Sequence, residues 1–417
     1  MRTSQRRFTV TSGMRILTRT IWILSLVSLV ADVASEMLYP VIPVYLKQIG
    51  FSVLLIGTLE GVVNFMAGIS KGSFGAWSDR KGARLPFVQW GYLLSAISKP
   101  LLGLVSGILS VFFVRTVDRL GKGIRTAARD AMLAQEASPE NRGRVFGFHR
   151  GMDTFGAALG PLLALVYLSS HPGAYKTLFL LAFIPGVLSV LMTFLIREKK
   201  FPPLITERKG FFSYFHYWKR STPTFRKVMP GFWIFLLFNS ADFFLILFTR
   251  TLLEGQQFTW GQIKLDADTA TIAVYIFYNL IYASSAPLLG SLADKMGYKP
   301  ALIGGFLLYA AVYAGFATSP NISGLILLFG CYGLYAGATE GVIKAWVSNQ
   351  SAPEERGTAL GFFSSCESIG ALTASILAGF IWTTWGAAAT FITTALAAIV
   401  AALWLWFHLN SNPISRR

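Results

Sequence analysis

The chain has 417 residues, of which 53% are hydrophobic and only 14% are charged, and its mean hydropathy is +0.53. Because a soluble domain carries roughly a quarter charged residues, this composition excludes an ordinary soluble protein and indicates an integral protein of the lipid bilayer. The formal net charge of +17 could suggest a nucleic-acid-binding protein. The basic residues, however, lie in short segments between apolar runs, as topology-directing charges do, so no nucleic acid is expected as a partner.

The apolar runs predict twelve membrane-spanning helices, each of about 20 mostly apolar residues. The first run follows a basic start and resembles a signal peptide, but it continues through residues 37–46 and is too long for one. We therefore expect an uncleaved first span. The predicted spans are 20–46, 52–77, 85–106, 109–134, 143–169, 175–196, 229–252, 268–292, 300–318, 322–348, 357–383 and 387–408.

Basic residues are distributed unevenly between the two ends of these spans. If the chain starts inside, the side opposite the cytoplasm receives only Lys47, Lys176, Arg250 and Lys264. The positive-inside rule then predicts a multi-pass protein of the cell inner (plasma) membrane with both termini cytoplasmic. The predicted organisation is a cytoplasmic tail (1–19), a six-helix half (20–197), a cytoplasmic linker with an interfacial segment (198–228), a second six-helix half (229–408) and a cytoplasmic tail (409–417).

The two halves repeat each other in sequence. GAWSDRKGAR at 75–84 recurs as GSLADKMGYK at 290–299, and SPENRGRVFGF at 138–148 recurs as APEERGTALGF at 352–362. Two copies of a six-span unit predict an all-α membrane protein with two pseudo-symmetric halves and a substrate site between them near the midplane.

Three motifs carry a resemblance to the major facilitator superfamily. GAWSDRKGAR resembles its G-x-x-x-D-R-x-G-x-R loop signature and lies between the second and third spans, as that family requires. RLGKGIRTA (119–127) is similar to the fourth-helix motif R-x-x-Q-G-x-x-x-A, with Lys122 in place of Gln. GAALGPLLA (156–164) resembles the fifth-helix motif of exporting antiporters, with Ala164 replacing the last Gly. The resemblance covers essentially the whole chain and implies a secondary transporter with no cofactor.

The fourth span carries seven charged side chains between residues 115 and 130. At 100° per residue they fall within an arc of about 140° on one helix face. A charge at the bilayer centre costs roughly 2.5–3.5 kcal/mol, so this face is expected to point into the bundle. Either it forms an internal ion-pair network, in which Asp118–Lys122 is one expected pair, or it handles substrate and protons. The charged residues are Arg115, Asp118, Arg119, Lys122, Arg125, Arg129 and Asp130.

Candidate coupling and binding residues follow from this face and its neighbours. Carboxylates on the first and second spans are candidate proton carriers, and the resemblance implies that the motif arginine couples protonation to conformation. The proton-coupling candidates are Asp32, Glu36, Glu60 and Arg119. Counting buried first-half charges leaves an excess of basic groups, which suggests an anionic group on the substrate. The substrate-binding candidates are Arg115, Lys122, Arg125, Asn64, Asp242, Tyr275, Asn279 and Tyr335.

The loop signature implies a gate. By resemblance, Asp79, Arg80 and Arg84 are expected to form a cytoplasmic contact with the end of the fourth span, where Asp130 is the expected partner. Asp294 occupies the matching position in the second copy of the signature.

These observations predict a proton-coupled transporter, a monomer, of a small organic metabolite or amphiphile, with a bias towards efflux antiport. A proton symporter importing an organic anion or a metal chelate such as a siderophore is the alternative. Neither a nucleophile beside a base nor metal-ligand spacing is visible, so no enzyme and no metal site are expected. A lipid scramblase would need a polar groove open to lipid, whereas the charged arcs here converge inward.

Overall fold

The computed structural model describes residues 16–199, 201–204, 210–239, 242–254, 258–260, 263–265, 267–318 and 321–409. The predicted tails at 1–19 and 409–417 lie almost entirely outside these ranges. So does part of the predicted linker, at residues 200 and 205–209.

The first half consists of seven helices that form six spans. The first predicted span is wrong as a single helix: α1 ends at Glu36 and α2 begins at Ile42. Pro40 and Pro43 flank this break, and a proline has no N–H to continue a helical hydrogen-bond ladder. The helices are α1 (Arg19–Glu36), α2 (Ile42–Gln48), α3 (Val53–Lys81), α4 (Leu85–Leu104), α5 (Ile108–Glu136), α6 (Arg142–Ser170) and α7 (Tyr175–Thr193).

A short connection precedes the second half, with a 3-10 turn (Phe211–His216) and α8 (Tyr217–Arg220). The predicted seventh span is divided into two helices, and Asn239 ends the first of them. The last two spans form one continuous element, in which Gly386 turns the chain at φ 87°, a conformation that favours glycine. The helices are α9 (Pro223–Phe238), α10 (Phe243–Leu253), α11 (Ala267–Met296), α12 (Tyr298–Ala317), α13 (Ile322–Asn349) and α14 (Arg356–His408).

The helical class is confirmed. Within the described ranges, the strands are two three-residue segments, β1 (Phe258–Trp260) and β2 (Ile263–Leu265), which pair antiparallel between α10 and α11. Six described segments are long and apolar enough to cross a membrane by length and composition alone, and they comprise α6, α7, α11, α12, α13 and α14. Charged side chains lower the mean hydropathy of α5, so α5 can span a membrane only if those side chains point into the protein.

Glycines bring the two halves into close backbone contact. A Cβ atom added at Gly75 of α3 would overlap the carbonyl oxygen of Gly357 in α14. One added at Gly290 of α11 would overlap the carbonyl oxygen of Gly143 in α6. Small residues allow helices to approach in this way inside a membrane. These contacts define the closed end of the molecule, where α3 ends and α4 begins.

Candidate functional site

The charged face of α5 points into the protein, as the helical arc predicts. Arg115, Arg125, Arg129 and Asp130 are 4%, 2%, 6% and 1% exposed, respectively. The opposite face carries Ile124, which lines an apolar surface cavity. The amphipathic pattern therefore hides the charges from lipid, which is the arrangement that makes intramembrane charges tolerable.

Towards the middle of the bundle, Glu60 of α3 holds two arginines of α5. Its Oε1 accepts from Nε of Arg115 at 2.8 Å, and its Oε2 lies 3.8 Å from Nη2 of Arg119. Asp118 lies 3.4 Å from Arg115 and 3.7 Å from Lys99 of α4. The expected Asp118–Lys122 pair is therefore wrong, because Asp118 faces α4 and its lysine.

Two carboxylates of α1 lie next to this network without joining it. Asp32 is 8% exposed, and Glu36 is partly buried. Lys122 is close enough to interact electrostatically with both, and Arg119 acts on Glu36. Among the residues that the structure describes, neither carboxylate has a cationic nitrogen within 4 Å. The structure thus brings Asp32, Glu36, Arg119 and Lys122 into one region of the first half.

A second network crosses between the halves. Asp130 of α5 accepts from Nζ of Lys344 in α13 at 2.7 Å and from Nη2 of Arg129 at 3.0 Å. Arg150 of α6 contacts Asp153 at 2.9 Å and also bonds Glu340 of α13. The two halves are therefore joined by one buried ion pair, Lys344–Asp130, and one half-buried ion pair, Arg150–Glu340.

Asp79 forms a separate contact between the halves at the closed end. It is fully buried and accepts hydrogen bonds from N of Thr358 at 2.6 Å, Oγ1 of Thr358 at 2.9 Å and Nη2 of Arg84 at 2.9 Å. Arg84 also reaches Oε1 of Gln135 at 3.0 Å and the Pro353 carbonyl at 2.8 Å. The loop signature of the first half thus binds the first turn of α14 in the second half.

The expected contact of this signature with Asp130 is wrong. Asp130 is occupied by Lys344 and Arg129, and Gln135, one and a half turns further along α5, takes its place beside Arg84. Arg80 points away from the contact and donates to Oγ of Ser213 at 3.2 Å. Asp294 forms the second-copy contact, in which its carboxylate accepts from N of Gly143 at 2.8 Å and N of Arg144 at 2.7 Å.

In the second half, a cluster of tyrosines surrounds the single carboxylate of Asp242, where the first half has several charged side chains. Tyr332 donates to Oδ1 of Asp242 at 2.7 Å and packs against Tyr278 with ring centroids 5.0 Å apart. Tyr335 packs against Tyr309 at 4.6 Å. Asn279 is turned to its own helix, where its amide donates to the Tyr275 carbonyl at 2.9 Å. Asp242 and the tyrosines form one group.

One binding candidate from the first half faces a neighbouring helix. Arg125 stacks 4.4 Å over the Tyr92 ring and donates to Oγ of Ser95 at 3.0 Å, so it faces α4. Asn64 is exposed on α3. Arg115 lies in the network, but Glu60 and Asp118 already occupy its guanidinium.

A cavity of about 300 Å³ lies between the networks and the aromatic group. Its lining combines aromatic rings with three charged side chains and with the polar side chains of Asn239, Thr339 and Ser368. These residues include Arg150, Asn239, Tyr335, Glu340, Glu367 and Ser368. Of this lining, the sequence prediction selected only Tyr335. The repeat aligns Glu367 with Asp153, and that alignment was the signal that could have identified it.

A family model of the Major Facilitator Superfamily matches residues 24–276 and 258–417. The chain belongs to the major facilitator superfamily. It is 34% identical over 395 residues to an uncharacterised MFS-type transporter of Methanocaldococcus jannaschii, covering 94% of this chain and 96% of that one. It is 23% identical over 404 residues to the multidrug resistance protein MdtG of Salmonella typhimurium, covering 92% and 93%.

Solved structures support the same fold. The human organic anion transporter MFSD10 superposes with a TM-score of 0.74 at 17% identity, covering 93% of this chain and 99% of that one. The Escherichia coli fucose:proton symporter FucP gives 0.73 at 15% identity, covering 95% and 100%. At these identities the likeness concerns the fold, and this superfamily member is a membrane transporter whose helices form two halves.

Proposed function

We propose that this superfamily member is a proton-coupled secondary transporter that moves a small organic molecule by alternating access. The observation that carries the proposal is the pair of carboxylates on α1. Asp32 and Glu36 lie beside Lys122 without a direct ion pair among the described residues. A carboxylate that is enclosed but not neutralised by a close cation can bind and release a proton as its surroundings change.

Alternating access is supported by where the two halves meet. Among the residues that the structure describes, the hydrogen bonds joining the halves run from the closed end to the level of Gly68 and Arg150. Arg80, Lys81, Arg142, Lys295 and Arg356 all lie at the closed end. By the positive-inside rule we propose that this end, where α1 begins and α14 ends, faces the cytoplasm and that this conformation is open to the outside.

The substrate is proposed to carry an anionic group. Lys122 makes no ion pair within the described part of the chain, and Arg119 contacts Glu60 only at 3.8 Å. Both can therefore meet an anion without first losing a strong pair. The apolar part of the substrate would lie on Tyr335 and its neighbouring rings.

We favour efflux in exchange for protons, because GAALGP in α6 resembles the motif of exporting antiporters. The name of the multidrug resistance protein MdtG agrees with that direction. Proton-driven import of an organic anion or a metal chelate is the second candidate, supported by the basic residues on α5 and by the name of the organic anion transporter with the same fold.

The experiment is a thermal-stability screen of the purified protein with matched organic anions and lipophilic cations, at acidic and neutral pH. A ligand that binds the folded state at 100 times its Kd stabilises it by about 2.7 kcal/mol. We expect stabilisation by anions that is lost in Lys122→Gln and kept in the exposed-site control Lys295→Gln. Stabilisation by cations alone would contradict the proposed anionic substrate.

A further inference from the structure

A cavity of about 620 Å³ lies on the outer surface of the closed end, away from the site between the halves. It is formed by the last two turns of α3 and the 3-10 turn before α8. Its lining consists of Ser73, Phe74, Trp77, Arg80, Lys81 and Phe211. The side chain of Ser73 donates to the Phe211 carbonyl at 2.8 Å, so the 3-10 turn is fixed against α3 and the cavity has a defined wall.

A second cavity, of about 330 Å³, adjoins the first and shares Phe74 and Trp77 with it. All of its lining side chains are apolar, and it extends along α4 past Trp90 to Leu94. Trp77 and Trp90 are 45% and 61% exposed. Tryptophan is enriched at the boundary between lipid tails and headgroups, so this pair of cavities runs from the headgroup region towards the membrane interior.

The charge of the first cavity is positive. Arg80 and Lys81 lie side by side at the end of α3, and its lining includes no acidic side chain among the described residues. The neighbouring Asp79 points the other way, into its contacts with Thr358 and Arg84. A guanidinium has five N–H donors, so Arg80 can donate to Ser213 and also to an anion.

We propose that these two cavities form a binding site for an anionic phospholipid. Arg80 and Lys81 hold the phosphate, and Phe211 and Trp77 flank the glycerol region. One acyl chain lies along Trp77, Trp90 and Leu94. The arrangement fits a lipid better than a soluble phosphate, because a soluble anion would use the basic rim and leave the apolar cavity beside it empty.

The experiment measures binding of the first phospholipid to the intact protein by native mass spectrometry in detergent. Phosphatidylglycerol is compared with phosphatidylcholine of the same chain length, and with glycerol phosphate, which lacks chains. The variants are Lys81→Gln in the headgroup region and Trp90→Ala in the chain region. Lys295→Gln is the matched control, because Lys295 is an exposed lysine at the same end, in the second copy of the loop signature.

We expect phosphatidylglycerol to bind more tightly than phosphatidylcholine. Since a basic residue near an anionic membrane surface contributes about 1 kcal/mol, Lys81→Gln should weaken phosphatidylglycerol binding about fivefold. It should weaken phosphatidylcholine binding less, because the choline cation already offsets the charge of the phosphate. Trp90→Ala should weaken both lipids, and Lys295→Gln neither. Equal affinity for the two lipids, or an equal loss in Lys295→Gln, would overturn the proposal. Competition by glycerol phosphate at the lipid's own concentration would overturn it in favour of a soluble-anion site.

Discussion

Replacing Lys344 by Met should loosen the contact between the two halves at the closed end. Nζ of Lys344 lies 2.7 Å from Oδ2 of Asp130, and the two residues are 8% and 1% exposed. Removing one partner of a buried ion pair costs about 3–5 kcal/mol. Asp130 keeps Arg129 at 3.0 Å, so we expect a smaller loss of about 2 kcal/mol. Because 1.4 kcal/mol is a factor of ten, the ratio of closed to open molecules should fall about 30-fold.

Pulsed electron paramagnetic resonance can measure this ratio. Spin labels at Ser138 and Ala352, which are exposed at matching positions of the two halves, report the separation at the closed end after Cys331 and Cys366 are replaced by Ser. Lys344→Met should populate a longer distance, whereas Lys344→Arg, which keeps the cation, should not. In the double variant with Asp130→Asn the loss should be smaller than the sum of the single losses. An unchanged distance in Lys344→Met, or strictly additive effects, would refute the reasoning.

Three further predictions concern the closed end and the aromatic group. Asp79→Asn should slow transport far more than it weakens substrate binding, because Asp79 accepts a hydrogen bond from Thr358 of the opposite half and charge-assisted hydrogen bonds contribute about 1.5–3 kcal/mol. Turnover and substrate Kd, measured on the same variant, check this prediction. A large loss of affinity with unchanged turnover would count against a gate. Gly290→Val should prevent closure, because the Cβ atom of the new side chain would overlap the Gly143 carbonyl oxygen. The rate of chemical labelling at the closed end should rise, and an unchanged labelling rate would contradict the close contact. Tyr332→Phe should lower the thermal midpoint by removing the 2.7 Å hydrogen bond to Asp242, which leaves a carboxylate less satisfied at a cost of about 1–3 kcal/mol. An unchanged midpoint would contradict a stabilising role for this hydrogen bond.

The fold could be predicted from the sequence because its two signals are long and repeated. Twelve apolar runs and a duplicated loop signature are compatible with few folds, and the observed helices follow the predicted spans closely. What the pattern could not predict was where a span breaks. The interruption between Glu36 and Ile42 lies within one predicted span, and mean hydropathy averages over such a break although Pro40 and Pro43 mark it.

The site was predicted less completely, for a geometric reason. The spacing of charges on α5 fixes which helix face they share, but it does not say which neighbouring helix that face meets. Arg125 and Asp118 are on the predicted face, yet they meet α4, where Tyr92 and Lys99 receive them. Likewise, Asp130 meets Lys344 of the opposite half, a pairing between residues more than two hundred positions apart that helical periodicity cannot indicate.

The central claim is that the carboxylates of α1 couple transport to protons. The direct measurement is substrate flux in proteoliposomes with and without an imposed pH difference, for the protein and for the variants Asp32→Asn and Glu36→Gln. Glu140→Gln is the control, because Glu140 is an exposed carboxylate outside the spans. We expect at least one α1 variant to lose accumulation driven by the pH difference while retaining exchange of substrate, and Glu140→Gln to behave like the unmodified protein. Full pH-driven accumulation in both α1 variants would contradict the claim.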